Sequence, residues 1–252
     1  MSMHQMLIAS YANPLLLCDS ADFDGTNDYM TRGAALDGIA DSKSGILSAW
    51  IRLDGGDGVA ASIMSSATPF PLQVIRQGTN AFQVIGRNAA GSTILSFSST
   101  STFTAAATWL HVLASWNLAV AGTGRLYIND AVEYSETTYT DDTIDYNGAA
   151  NWSIGAGTTG SGKLDGCLAE YYFAAGQYLD FSNVYQRRKF ISASGKPVYL
   201  GADGSVPTGT APTVYQRVAD AAAVATFATN LGSGGDFSIT GTLATGSTSP
   251  SD

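Results

Sequence analysis

Residues 45–53 read Gly-Ile-Leu-Ser-Ala-Trp-Ile-Arg-Leu, a short apolar segment whose side chains alternate with a period of two. Similar segments, rich in β-branched and aromatic residues, recur at 72–77, 81–87, 92–98, 109–117, 124–130, 152–155 and 167–174. Residues that tolerate turns, such as the Gly and Asp run at 54–58, separate them. Many short strands divided by turns predict an all-β sandwich of two antiparallel sheets, a jelly roll, rather than alternating βαβ units.

One helix is predicted at residues 180–191, with Asp180 or Ser182 as its cap and a cationic end that suits the helix dipole. The composition changes after Gly195, where prolines stand among Gly, Ser and Thr. We therefore divide the chain into an N-terminal arm (1–20), a sandwich (21–195) and an extended C-terminal arm (196–252). The last residues, 246–252, are predicted to be a disordered tail.

The composition excludes several classes of protein. The 252 residues include 21 Asp and Glu but 12 Lys and Arg, a formal net charge of −9, so nucleic acid is not an expected partner. No run of about 18 apolar residues predicts a membrane span. No Lys or Arg precedes Arg32, so we expect no secretory signal and synthesis in a cytoplasm, with Cys18 and Cys167 reduced.

Four segments together resemble a known family. They are residues 23–30 (FDGTNDYM), 47–52 (LSAWIR), 109–130 with its Trp-Leu-His start, and 152–171. In this order and spacing they are similar to the laminin-G-like, concanavalin A-like lectin/glucanase family. The resemblance implies that family's sandwich. The chain's tryptophans, at 50, 109, 116 and 152, would then be largely buried between the two sheets.

Residues 190–209 and 228–241 are similar to tails appended to this fold in tailed-bacteriophage virion proteins. That resemblance implies a non-enzymatic structural or accessory protein of a virion, present in many copies as a head decoration, tail or fibre component and made in the host cytoplasm. Its partners would be other virion proteins and copies of itself. The alternative is a carbohydrate-binding module that adheres to a surface glycan.

Residues 196–252 also carry apolar side chains that need burial, among them Val198, Leu200, Tyr215, Phe227 and Phe237. They could fold back on the same chain or cover a neighbouring subunit. Because a symmetric particle repeats one interface many times, we expect the second arrangement and a homo-oligomer.

Catalysis is not expected. Glycoside hydrolysis needs two carboxylates about 5–9.5 Å apart. The glutamates here are Glu133, Glu136 and Glu170, without the ExDxxE strand of the related glucanases. His111 is expected to be a packed, hydrogen-bonded core residue. The glycine-rich stretch 155–163 contains GxGxxG but is predicted to be a loop between strands, since Leu164 replaces the Ser or Thr of a phosphate loop and no helix follows.

The loop at residues 139–146 is the best candidate for a sugar site, because it offers the aromatic rings of Tyr139 and Tyr146 beside the carboxylates of Asp141 and Asp142.

No cofactor is expected, with calcium as the alternative that the family resemblance suggests. Members of the fold bind calcium through carboxylates of the first and last strands, which implies Asp22, Asp24 and Glu170 here. Ala169 stands where the family has a further acid.

Overall fold

The computed structural model describes residues 18–218 and 221–252. Within them the chain forms one α-helix, α1 (Val184–Arg187), and 3₁₀ helices at Tyr146–Gly148 and Ala221–Ala228. The strands, in chain order, are β1 (Ala21–Asp24), β2 (Tyr29–Thr31), β3 (Ser44–Leu53), β4 (Ala61–Ser66), β5 (Leu72–Arg76), β6 (Phe82–Arg87), β7 (Thr93–Ser98), β8 (Leu110–Asn117), β9 (Arg125–Ile128), β10 (Ala131–Val132), β11 (Ser135–Tyr139), β12 (Trp152–Ile154), β13 (Asp165–Ala175), β14 (Val214–Gln216), β15 (Ser238–Thr240) and β16 (Ala244–Thr245).

These strands form two antiparallel sheets of eight strands each. Sheet 1 has the order β10-β9-β8-β3-β13-β1-β16, with β14 also paired to β13. Sheet 2 has the order β11-β7-β6-β5-β4-β12-β2-β15. The predicted all-β jelly-roll sandwich is therefore confirmed.

The main core lies between the sheets and follows from the alternation of side chains along each strand. On β3, Leu47, Ala49 and Ile51 point into this core, where they meet residues of sheet 2 such as Leu95 and Phe97. A Cβ at Gly45 would lie 2.3 Å from the ring of Trp116, so glycine at this position gives the indole its space.

Sheet 1 is covered on its outer face as well. Ile46 on β3, Leu113 on β8 and Tyr172 on β13 point away from the main core and belong to a second buried cluster. Segments that follow β13 supply five further members of that cluster: Phe181, Phe190, Val198, Leu200 and Tyr215. As a result nine of the ten residues of β3 are buried, on both faces of the sheet.

The tryptophan prediction is half correct. Trp116 and Trp152 are fully buried between the sheets. Trp50 is 3% exposed but lies on the outer face of sheet 1, in a small cluster with Cys18, Ala169 and Ile191. Trp109 packs at the edge of that cluster and is only half-buried. Neither of the last two lies between the sheets, because their positions on β3 and before β8 alternate to the outer face.

The helix is shorter than residues 180–191. It begins after Asn183, whose side chain accepts from the backbone N of Tyr185, rather than at Asp180 or Ser182. The chain turns after Arg187 because Phe190 and Ile191 insert into the clusters on the outer face of sheet 1.

Residues 196–218 and 221–252 fold against the sandwich of their own chain. β14 extends sheet 1 beside β13, β15 pairs with β2, and β16 pairs with β1. Val198, Leu200, Tyr215, Phe227 and Phe237 are all buried there. The need to bury these side chains is thus met within one chain, and no longer argues for a neighbouring subunit.

The disordered tail predicted at 246–252 is wrong. Ser249 and Pro250 are buried, and the side chain of Ser251 hydrogen-bonds with the backbone of Cys18. The segment is polar, but its hydroxyl groups form hydrogen bonds with the sandwich, so its polar composition does not lead to disorder.

The two environments of tryptophan predict different costs of truncation. Trp152→Ala should lower the free energy of unfolding by about 3–5 kcal/mol, because a fully buried aromatic leaves a cavity in the main core. Trp109→Ala is the matched control and should cost at most about 1–2 kcal/mol, since Trp109 is only partly buried, at the edge of a small cluster. Urea denaturation measures both, and equal losses would contradict this placement of the two rings.

Candidate functional site

A cleft of about 320 Å³ opens on the outer face of sheet 1, beside Trp109. We call it the Trp109 cleft. It combines indole and aliphatic surface with hydroxyl, amide, ammonium and carboxylate groups. Its lining residues are Trp50, Thr108, Trp109, Asn129, Ile191, Gly195, Lys196, Ser249, Pro250 and Asp252.

The floor of the cleft is Trp50 on β3. Its ring lies 4.7 Å, centroid to centroid, from the imidazole of His111 on the neighbouring strand β8. His111 is fully buried, its Nε2 is 2.9 Å from Ser48 Oγ, and burial lowers its pKa to about 3. The imidazole is therefore neutral and supports Trp50 by packing, which confirms the predicted core role of His111.

Trp109 precedes β8 and forms a side of the cleft. Its Nε1 donates to Thr248 Oγ1 at 3.1 Å, which fixes the polar edge of the indole. The guanidinium of Arg52 lies 5.9 Å from the ring centroid and is itself held by both carboxylate oxygens of Asp54. The indole is thus held in place while part of it remains exposed to the cleft.

The turn between β9 and β10 forms another wall. Asn129 and Asp130 have φ of 52° and 65°, left-handed values that Asn and Asp tolerate better than other residues with a side chain. Asn129 Oδ1 accepts from the backbone N of His111 at 2.8 Å. Asp130 is paired with Arg187 and with Arg188, at the end of α1.

This pairing ties two walls of the cleft together, because the segment that follows α1 contributes Ile191, Gly195 and Lys196. Arg187 also lies over the ring of Tyr127, 4.4 Å from its centroid. The two arginines and burial act in opposite directions on Asp130, and the net effect is a lowered pKa, so its carboxylate is charged.

The predicted sugar loop does not form one surface. Tyr146 is fully buried, where its hydroxyl accepts from Trp116 Nε1 at 3.1 Å and donates to the carbonyl of Ser44. Tyr139 is half-buried, and its hydroxyl accepts from the backbone N of Asn117. The prediction that Tyr146 presents its ring to a sugar is wrong, because the strand pattern alone did not reveal that the 3₁₀ turn at 146–148 points inward.

The two acids of that loop are on the surface. Asp141 pairs with Lys43 at 2.6 Å. Asp142 accepts from Asn88 Nδ2 at 2.7 Å and lines an open acidic cleft of about 230 Å³ with Asp41 and Asp145. Among the described residues, the lining of this acidic cleft includes no aromatic ring, so it lacks the platform that the loop was expected to offer.

The three calcium candidates are not brought together. Asp24 accepts from the backbone N of Thr26 and of Asn27, each at 2.8 Å, and so caps its own turn. Glu170 is buried at a β-bulge of β13, away from Asp24. The site that the calcium alternative implied is therefore not formed. Asp24 stands opposite Asp165 at the start of β13, whereas Glu170 lies further along that strand.

Asp22 instead lies beside Asp54 and Cys167, and one donor atom from each falls within 4.8 Å of the others. Such a set could bind a divalent cation, but both oxygens of Asp54 already accept from Arg52. Burial and the charge of Asp22 raise the pKa of Cys167 strongly, so its sulfur is a neutral thiol that donates to Asp22 Oδ1 at 3.6 Å. Cys18 is likewise a free, buried thiol with its pKa raised, mainly by burial, to about 12.

Glu170 is a buried acid that the sequence did not single out for its environment. Its backbone adopts φ 46°, and its Oε2 accepts from the hydroxyl of Tyr215 at 2.7 Å. Arg217 Nε lies 3.4 Å from Oε1, an ion-pair contact without hydrogen-bond geometry. Burial raises the pKa of Glu170 to about 7, against the opposing effects of Arg217 and Tyr215.

The glycine-rich stretch 155–163 joins β12 to β13 and passes from one sheet to the other. A strand follows it, as the sequence predicted, and not a helix. Lys163 Nζ donates to the carbonyl of Gly160 at 2.6 Å, inside the loop.

Comparison with known families places this fold. Residues 24–174 match the family described as the concanavalin A-like lectin/glucanases superfamily. The chain belongs to that superfamily. A comparison with curated proteins finds no match. In the described ranges, 18–218 and 221–252, no helix has the length and apolar character that crossing a membrane requires.

Solved structures share the superfamily's fold at low sequence identity. A protein from Bacteroides ovatus, provisionally described as carbohydrate-binding, has a TM-score of 0.58 and 15% identity, over 81% of this chain and 52% of its own. The chain therefore spans about half of that protein's length. The K499G variant of the NanB sialidase from Streptococcus pneumoniae gives 0.51 and 14%, over 69% and 28%. A pentraxin from Limulus polyphemus gives 0.48 and 14%, over 68% and 82%.

The Trp109 cleft was not predicted from the sequence, because Trp50 and Trp109 were expected to lie in the main core. One signal was available. Residues 167–174 are almost continuously apolar, which is typical of a strand buried on both faces. This pattern indicates that another part of the protein covers the outer face of sheet 1.

The buried acid predicts how stability depends on pH. Because the pKa of Glu170 rises from an ordinary 4.5 to about 7 on folding, the stability that its protonated form provides is lost as pH rises through 7. In the wild type the free energy of unfolding should fall by an amount on the order of 3 kcal/mol between pH 5 and 8. Glu170→Gln keeps an acceptor for Tyr215 and should remove this fall. Urea denaturation at both pH values measures it, with the exposed Glu136→Gln as control. Parallel profiles for wild type and Glu170→Gln would refute the assignment.

Proposed function

We propose that this chain is a non-catalytic module that binds carbohydrate in the Trp109 cleft. The observation that carries the proposal is the half-exposed indole of Trp109, held in place at its Nε1 and surrounded by hydrogen-bonding groups. Sugar rings present C–H faces and hydroxyl edges, so they need an aromatic surface beside polar partners. Thr108, Asn129 and Lys196 offer such partners here.

The carboxylate content of the cleft favours binding rather than hydrolysis. Among its described lining residues the carboxylate is that of Asp252, which already accepts from the backbone N of Ser249 at 2.7 Å. Hydrolysis of a glycoside needs a second carboxyl group about 5–9.5 Å away. The Bacteroides ovatus protein of similar fold, described provisionally as carbohydrate-binding, agrees with this proposal at the level of the fold.

Removal of the indole should abolish most of the affinity. We expect Trp109→Ala to weaken binding of a glycan identified on an array by tenfold or more, about 1.4 kcal/mol, because an aromatic contact contributes about that much. Isothermal titration calorimetry measures the change. Tyr185→Ala is the matched control, since Tyr185 is 75% exposed and does not line the cleft. Unchanged affinity in Trp109→Ala, or no glycan bound by the wild type, would contradict the proposal.

The virion role stays a second proposal, based on the resemblance of residues 190–209 and 228–241 to tails of phage proteins. It includes the multi-copy state, the virion location and virion partners. The apolar side chains that argued for a subunit interface are buried on their own chain, so this argument for a homo-oligomer no longer applies. Light scattering of the purified chain tests the oligomer directly, and a monomer would contradict that part.

A further inference from the structure

Residues 247–252, Ser-Thr-Ser-Pro-Ser-Asp, cross the outer face of sheet 1 and form one wall of the Trp109 cleft. We call this segment the strap. It approaches Trp50 and Trp109 through Ser249, Pro250 and Asp252, which line the same cleft.

The start of the strap is held at the cleft by side-chain hydrogen bonds. Arg52 Nη1 donates to Ser247 Oγ at 3.0 Å and to Thr248 Oγ1 at 2.7 Å. Thr248 Oγ1 also accepts from Trp109 Nε1. Thr248 is therefore the residue through which the strap contacts the exposed indole.

The end of the strap is held at two further points. Ser251 Oγ accepts from the backbone N of Cys18 at 2.9 Å and donates to its carbonyl at 3.0 Å. Lys196 Nζ donates to the backbone carbonyl of Asp252. Cys18 and Lys196 belong to different parts of the chain, so the end of the strap is held at two independent points.

The strap is held by hydrogen bonds and by one buried apolar side chain, that of Pro250. Proline is the largest apolar side chain in the strap, so little apolar surface opposes its release. Hydrogen bonds that water can replace contribute little net stability, and segments with few buried apolar contacts open locally at low cost. Trp50 also lines the cleft but is only 3% exposed, because Cys18, Ala169 and Ile191 pack against it as well.

We propose that the strap is a displaceable cover over the aromatic surface of Trp50 and Trp109, and that the ligand which displaces it is an extended polysaccharide chain. This inference rests on the proposed function. With the strap in place the cleft is near the small end of ligand pockets and holds a short saccharide. With the strap released, Trp109 and the part of Trp50 that lines the cleft give a longer, open platform for successive sugar rings.

The cover is tested first without any ligand, by acrylamide quenching of tryptophan fluorescence. Trp116 and Trp152 are fully buried in the main core, so the change in the quenchable fraction reports on Trp50 and Trp109. Deletion of residues 247–252 should raise that fraction, and Thr248→Val should raise it less while keeping the side chain's shape. Ser233→Ala, a hydroxyl removed elsewhere in the C-terminal segment, is the control. If the deleted chain fails to fold, Thr248→Val alone decides, and unchanged quenching overturns the cover.

The ligand is tested with glucose and with the hexasaccharides of amylose, cellulose and β-1,3-glucan, by calorimetry. The deletion should bind at least one hexasaccharide fivefold or more tightly than the full chain does, without a gain for glucose. Equal affinities in the two forms would overturn the strap inference and leave the proposed function standing. If neither form binds any of these probes or any glycan on the array, both the proposed function and the polysaccharide ligand are refuted, whatever the quenching shows.

Discussion

The structure depends on the need to bury both faces of the central strands of sheet 1. β3 and β13 are buried along almost their whole lengths, and successive residues of each point into different clusters. Leu47 faces sheet 2, whereas its neighbour Ile46 faces the C-terminal half of the chain. Each large side chain buried in this way contributes roughly 1.5–3 kcal/mol to the free energy of unfolding. If the outer face were uncovered, the contributions of several such side chains would be lost.

The cover of sheet 1 also creates the candidate site. The same segment that brings Phe181 and Phe190 onto the outer face continues into Ile191 and Lys196, two walls of the Trp109 cleft. The ion pairs of Asp130 with Arg187 and Arg188 fix this segment to the β9–β10 turn. The site is therefore not an addition to the sandwich. It lies where the C-terminal half leaves Trp109 incompletely covered.

Local pattern was enough to predict β3, β5 to β9, β12 and β13 and the two-sheet architecture, because period-two alternation is a property of each short segment. It did not predict β4 and β11, which are rich in Ser and Thr. It did not predict which face each aromatic residue occupies. Trp50 and Trp116 both lie on strands of sheet 1, yet one faces outward and the other inward, a difference set by residues distant in sequence. Tyr146 was misplaced for the same reason, and Glu170 because it lies further along β13 than the position opposite Asp24. The polar tail seemed disordered because its partners, Arg52, Cys18 and Lys196, are distant in sequence.

The most direct test is to remove the cover. Deletion of residues 196–252 should disturb the sandwich itself, because this segment covers the outer face of sheet 1. The deletion takes away β14 and Tyr215, exposes the outer faces of β3 and β13, and leaves Glu170 without Arg217. Near-ultraviolet circular dichroism during urea denaturation should show that residues 1–195 have lost the cooperative transition of the full chain. A truncated protein that unfolds cooperatively with the stability of the full chain would contradict this account.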